Sequence, residues 1–233
     1  GRVAAGAIAA KILKQLGIEI TTYVSSIGDV QVSPENFNRE YIMQNELYMP
    51  DKDSYERASA LLSDIMAAND SIGSSVQCII KGMPAGIGEP VFDKLDANLA
   101  KAIMSIGAVK AIEIGDGCMV SENQGSYNND NFSMKDGKVS KQSNHAGGIL
   151  GGMSDGSDIV IKAHFKPTPS IASTQHTINK SGENIEVSIK GRHDPIIGPR
   201  AVVVVESMAA ITVLDLLFDN MSSRLDKIID FYS

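Results

Sequence analysis

Four stretches of the chain place apolar side chains at three- and four-residue intervals, the repeat of a helix with one buried face. Residues 2–16 bring Val3, Ile8, Ile12, Leu13 and Leu16 close to one side. Residues 54–68 do the same with Ala58, Leu61, Leu62, Ile65 and Met66, and Ser54 followed by Glu56 suits the start of that helix. In residues 91–106 the stripe is Leu95, Leu99, Ile103 and Ile106, with Asp93 and Asp96 near the positive end of the helix dipole. Residues 199–220 open with Pro199 after Gly198, a favourable first-turn position, and are apolar almost all round. That pattern predicts burial on more than one side. The run Val202–Val205 alone would suggest a strand, but the length and the Ala, Met and Leu content that follow favour a helix.

Alternation of period two predicts strands at 18–27, 74–82, 109–114, 157–165 and 183–190. Val76, Cys78 and Ile80 share one face, as do Ile159, Ile161 and Ala163, and Ile185, Val187 and Ile189. The pattern breaks between Gly115 and Gly148, where polar and turn-forming residues dominate. So long a connection inside a compact domain is usually functional or mobile. No repeat marks a solenoid. The 233 residues, 43% hydrophobic, suffice for one large domain, and the expectation is a single domain over 1–233.

Charge and cysteine content narrow the possibilities. A net charge of −7 argues against a nucleic-acid surface, which needs a dense basic patch. Cys78 and Cys118 stand far apart, and His145, His164, His176 and His193 form no metal-ligand spacing, so neither a metal site nor a disulfide framework is expected. A reducing, cytoplasmic setting is the simplest expectation. The most apolar run, Ala201 to Phe218, is interrupted by Glu206, Ser207, Thr212 and Asp215, and no membrane span is expected. The chain opens at Gly1 with no capping residue before its first helical pattern, which suggests that further sequence precedes it.

Four segments could carry chemistry. The glycine pairs of GGILGG, 147–152, let backbone approach a phosphate or a ring edge, or simply mark bends between strands. His145 just before them is either a proton donor or a loop histidine bonded to nearby backbone. KPTPS, 166–170, offers a cation and two hydroxyls on a backbone stiffened by two prolines, or a plain strand connection. GRHDP, 191–195, packs a guanidinium, an imidazole and a carboxylate together. On an extended chain Arg192 and Asp194 would share a face, as an ordinary salt bridge or as ligand groups, with His193 pointing elsewhere. The stretch 86–117 reads as scaffold.

The order and wording of these segments resemble chorismate synthase. RVAAGAIA at 2–9 is similar to the end of that family's arginine- and serine-rich signature, and GIGEPVFDKLDANLAKAIMSIGAVKAIEIGDG to its central block. SNHAGGILGGMSDG, KPTPSI and GRHDPIIGPRAVVVVESMAA resemble its later signatures, so the likeness covers nearly the whole chain. Ala111, Ile196 and Val203 depart from the usual residues and read as packing changes. The larger departure is that the family's GESHG block, its second essential histidine and several phosphate-binding arginines have no counterpart here.

The resemblance implies a flavin-dependent carbon–oxygen lyase that converts 5-enolpyruvylshikimate 3-phosphate to chorismate by 1,4-anti elimination of phosphate, with reduced FMN as cofactor. Some members of the family keep the flavin reduced themselves, which brings NADP into the expectation. Carried over position by position, Gly107, Ala108 and Gly151 would meet flavin through backbone. Lys166, Pro167, Thr168, Pro169 and Ser170 would cradle its ribityl phosphate region, Arg192 would complete the site, and Asp194 would handle a proton. The implied fold is α+β, a β-α-β sandwich with helices packed between antiparallel sheets, and the implied assembly a homotetramer. With the GESHG block absent, the 233 residues are expected to be inactive alone. The alternatives are a non-catalytic FMN-binding or assembly fragment and a structural domain that binds no flavin.

Overall fold

The computed structural model describes residues 1–135, 137–189, 191 and 193–233. The helices are α1 (Arg2–Gln15), α2 (Lys52–Ala67), α3 (Leu95–Met104), α4 (Gly125–Asn128), α5 (Gly198–Ser222) and α6 (Leu225–Tyr232). The strands are β1 (Glu19–Ile27), β2 (Val30–Gln31), β3 (Ser74–Lys81), β4 (Val109–Ile114), β5 (Phe132–Lys135), β6 (Lys138–Lys141), β7 (Ile149–Leu150), β8 (Met153–Ser154), β9 (Ile159–Phe165), β10 (Gln175–Ile178) and β11 (Asn184–Val187). Five strands form one sheet in the order β2-β1-β3-β9-β4, and β5–β6, β7–β8 and β10–β11 are separate antiparallel hairpins. Helices together with antiparallel pairs make this an α+β fold, as expected.

The chain divides into two compact units, and β1, β3, β9 and α5 each run from one into the other. The first unit holds Gly1–Thr22, Gln77–Ala163 and Val203–Ser233. Its core contains Leu13, Ile80, Leu95, Leu99, Ile103, Ile159, Ile161 and Val205, all withdrawn from solvent. Here α1 meets α5 so closely that a Cβ on Gly6 would lie 2.2 Å from that of Ser207. Glycine removes the side chain that would otherwise hold the two helices apart. Arg2 donates to Ser105 Oγ at 2.7 Å and to the Ser105 carbonyl at 3.1 Å, tying the start of α1 to the end of α3. The second unit holds Tyr23–Val76 and His164–Val202. There Asn45 stitches a buried turn by donating to the Tyr41 and Met49 carbonyls and accepting from the Met49 N–H.

Tertiary structure moves several boundaries. Asp51, not Ser54, caps α2, accepting from the Asp53 N–H at 3.1 Å, and Ser54 instead donates inward to Asp51 and to the Gln31 carbonyl. The third helix starts at Leu95 rather than 91, because the Leu95 N–H is drawn to the Gly152 carbonyl at 2.7 Å and Val91 and Phe92 are left exposed. Among the described residues the strand expected at 183–190 stops at Val187 and pairs with β10, in a ribbon whose β11 side chains are exposed. Residues 115–148 are not one loop but a short 3-10 turn, α4 and the β5–β6 hairpin. No expected element corresponds to α6. Over its most apolar window α5 reaches a mean hydropathy of 2.1, so by length and composition it could cross a membrane, against the expectation that no run comes close. Half of that window is buried within the fold, so core packing accounts for part of the apolarity, while Val203 and Phe218 on the same helix are exposed.

Candidate functional site

Glycine-rich residues of the first unit form a turn whose shape is dictated by close backbone approach. Gly115 and Gly147 press together, so that a Cβ on Gly115 would fall 2.1 Å from the His145 carbonyl oxygen. Gly151 and Gly152, at φ of 60° and 86°, make the two-residue turn of the β7–β8 hairpin, which is the bend that paired glycines suggested. No atom lies within 4 Å of where a Cβ on Gly151 or on Gly107 would stand, so both backbones can be approached closely from outside. Next to Gly107, Ala108 adopts φ of 70°, a left-handed conformation that non-glycine residues avoid. The strain marks the α3–β4 turn as a place where backbone direction matters more than comfort.

His145 is fixed at both ends. Its Nδ1 lies 2.7 Å from Asp116 Oδ2, its backbone N–H donates to Asp130 Oδ1 at 2.8 Å, and the Tyr127 ring sits 4.6 Å from the imidazole. The bonds run to carboxylates, not to nearby backbone. Asp130 also accepts from Ser143 Oγ at 2.7 Å and from the Ala146 N–H at 2.9 Å. Burial alone would raise its carboxyl pKa, but those donors and the charge of Lys141 hold it below the usual range.

In the second unit KPTPS follows directly on β9. Lys166, Pro167 and Pro169 are exposed, while Thr168 and Ser170 are half-buried. The Thr168 carbonyl accepts from Ser71 Oγ at 2.7 Å, yet its own hydroxyl is buried without a hydrogen-bond partner. The Thr22, Ser25, Ser59 and Ser74 hydroxyls are left in the same state, but Thr168 alone of these lies in the KPTPS segment, where it could donate to an acceptor that a ligand brings. Ser170 and Asp194 line one cavity of about 190 Å³ with Asn69, Ser71, Gly191 and His193. Asp194 pairs with Arg200 at 3.0 Å. Arg192 lies outside the described residues.

The structure therefore brings Ser170 and Asp194 together, with Thr168 nearby in sequence, and places Gly107, Ala108 and Gly151 on two turns of the other unit. It corrects one expectation: His193 and Asp194 face the same cavity, because residues 193–197 form no strand and the alternation rule does not apply. Asn69 and Ser71 were not singled out from sequence. Only Asn69 carried a signal, since an Asn-Asp pair ending a helical stretch favours the left-handed φ of 57° that it adopts. Among the described residues no three His, Cys, Asp or Glu side chains converge as a metal site would require. The unsatisfied Thr168 hydroxyl and the exposed Lys166 suit the acceptor oxygens of a phosphate or ribityl chain, so the residues present fit a flavin nucleotide.

Comparison with known proteins points the same way. The family model described as chorismate synthase matches residues 1–218. The chain is 60% identical over 232 residues to a chorismate synthase of Agathobacter rectalis and 58% identical over 232 residues to one of Lachnospira eligens. Both alignments cover 100% of this chain, which spans only 63% of either relative. A crystal structure of chorismate synthase superimposes with a TM-score of 0.79 at 28% identity, covering 94% of this chain and 63% of that one.

Proposed function

The chain belongs to the chorismate synthase family, and we propose that it supplies the flavin-binding part of an enzyme that eliminates phosphate from 5-enolpyruvylshikimate 3-phosphate to give chorismate. The family match over residues 1–218 is the observation that carries this reading. Reduced FMN, when bound, supplies transient electron density that helps phosphate leave in a reaction with no net redox change. The remaining work is done by this chain's own groups.

Lys166 and Arg192 furnish a local positive field for an anionic cofactor on a chain whose net charge is −7. Thr168 Oγ1 and Ser170 donate to its phosphate or ribityl oxygens, and the two prolines hold those donors in place before binding, which lowers the entropy lost. Gly107, Ala108 and Gly151 offer backbone that can lie close to the ring. Asp194, oriented by Arg200 at 3.0 Å, handles the proton. The whole protein is a cytoplasmic homotetramer in this reading, takes a small anionic substrate, and binds neither nucleic acid nor membrane. NADP enters only if the protein reduces its own flavin.

Because these 233 residues carry the flavin contacts and not the GESHG block, the expected behaviour is FMN binding without turnover. An FMN titration by flavin fluorescence tests it, with Arg192→Ala as control. Saturable binding that Arg192→Ala weakens supports the reading. No saturable binding refutes the flavin site, and turnover of substrate with reduced FMN refutes the inactivity.

A further inference from the structure

Lys141, the last residue of β6, is a cation with almost no access to water. Its side chain is 3% exposed and lies against two carboxylates, Asp130 at 3.6 Å and Asp155 in hydrogen-bond contact, themselves 3% and 7% exposed. The Phe132 ring covers the ammonium at 5.5 Å from its centroid. Each carboxylate grips one arm of the same turn. Asp130 holds the entering arm through Ser143 Oγ and the His145 and Ala146 N–H groups. Asp155 belongs to the leaving arm, where its side chain accepts from the Ser157 N–H at 2.9 Å and its own N–H donates to the Gly148 carbonyl at 3.0 Å. The β7–β8 hairpin, with Gly151 at its tip, lies between the two arms. Other charges nearby are already engaged, His145 with Asp116 and Asp158 with Lys81 at 3.4 Å.

Two carboxylates buried side by side repel strongly unless a cation separates them. Lys141 is that cation, and it joins the arms by a contact that neither arm makes alone. We propose that Lys141 is a positioning residue: gripped by Asp130 and Asp155, it fixes both arms of the 143–157 turn and thereby sets where the Gly151 backbone stands. The purpose of that positioning rests on the flavin reading above, whereas the fixing of the turn does not.

Amide hydrogen exchange on the full chain, read by NMR, separates the two arms. Asp155→Asn speeds exchange at Asp155 and Ser157 by about tenfold and leaves His145 and Ala146 within about threefold, since local opening follows the bonds removed. Lys141→Met speeds all four, and its ratio to wild type shrinks towards pH 4, where protonating one carboxylate ends the repulsion. Lys141→Arg restores protection. Four amides unmoved by Lys141→Met, a rise no larger than that across α1 and β3, or a ratio the same at pH 4 and pH 7 overturns the proposal. An FMN titration then reads the purpose: Lys141→Met weakens binding by about tenfold, in the range seen when outer-shell supports are lost. Equal affinity in variant and wild type overturns the link to Gly151. A wild-type chain that binds no FMN refutes the flavin reading alone, with exchange still deciding the clamp.

Discussion

Replacing Gly6 by alanine sets two magnitudes against each other. The new methyl would lie 2.2 Å from Ser207 Cβ and 2.5 Å from Ser207 Cα, and the second of these is backbone that cannot rotate away. Reaching the 3.4 Å of ordinary contact requires α1 to retreat from α5 by 1.2 Å, the difference between 3.4 and 2.2. Ala9 and Leu13, buried on the same helix, are carried outward with it. A gap near 1 Å forfeits up to about half of a contact's attraction, and overpacking of this kind costs about 1–3 kcal/mol. Against this, Gly→Ala within a helix returns about 1 kcal/mol of propensity. The net expectation is a loss of about 1 kcal/mol, the middle of a range of about 0–2, or a urea midpoint lowered by about 0.3 M for a slope near 3 kcal/mol/M. Ala4→Gly, at an exposed position of the same helix, calibrates the propensity contribution. A Gly6→Ala protein as stable as wild type, with Ala4→Gly destabilised as expected, would show that α1 yields without cost and that the close crossing has no energetic weight.

Burial raises the pKa of Glu206 on α5, and an acid raised in the folded state costs stability as pH climbs above its unfolded value of about 4.3. Glu206→Gln is therefore expected to raise Tm at pH 8 and to give no gain at pH 4; calorimetry at the two pH values decides. Thr168→Val removes an unsatisfied buried hydroxyl, so folding stability should stay level or rise while FMN affinity falls by about tenfold. Lowered stability with unchanged affinity would mean the hydroxyl serves packing. Burial pushes the Cys78 thiol up to about 12, whereas Cys118 is exposed, so maleimide should label Cys118 alone in the native protein and both after denaturation. Native labelling of Cys78, followed by mass spectrometry, would contradict the buried position of β3.

The extents of α1, α2 and α5 were legible from spacing and composition and lie within a few residues of their expected ranges. The buried face of α1 was not: Val3, Ile8, Ile12 and Leu16 are exposed, and Gly6, Ala9 and Leu13 turn inward because the close crossing with α5 selects the small-residue side. What the sequence hid was set by partners far along the chain. The start of α3 depends on a carbonyl at Gly152, and the α2 cap on a carboxylate that also receives the Ser33 N–H. No local pattern encodes either. In the candidate site, the glycine pair and KPTPS were visible as segments, but the roles of Asp130 and Lys141 were not. Both sit in a polar stretch that looked like loop, and burying them depends on mutual charge compensation that composition conceals. The joint exposure of His193 and Asp194 to one cavity was misread because strand geometry was extended past Val187, where pairing with β10 ends.

Strand order in the five-stranded sheet has a consequence for how the protein is made. Strand β9 stands between β3 and β4, yet it is translated after both. A ribosome that has just finished Ile114 must add 51 residues, the difference between 165 and 114, before Phe165 completes β9. At about 5–20 residues per second that interval is roughly 3–10 s. Throughout it β3 and β4 each present an unpaired edge to whatever else is nearby, and an open edge recruits foreign strands. Synthesis rate across residues 115–158 thus bears directly on yield, and slowing translation there should favour aggregation or a longer stay on a nascent-chain chaperone.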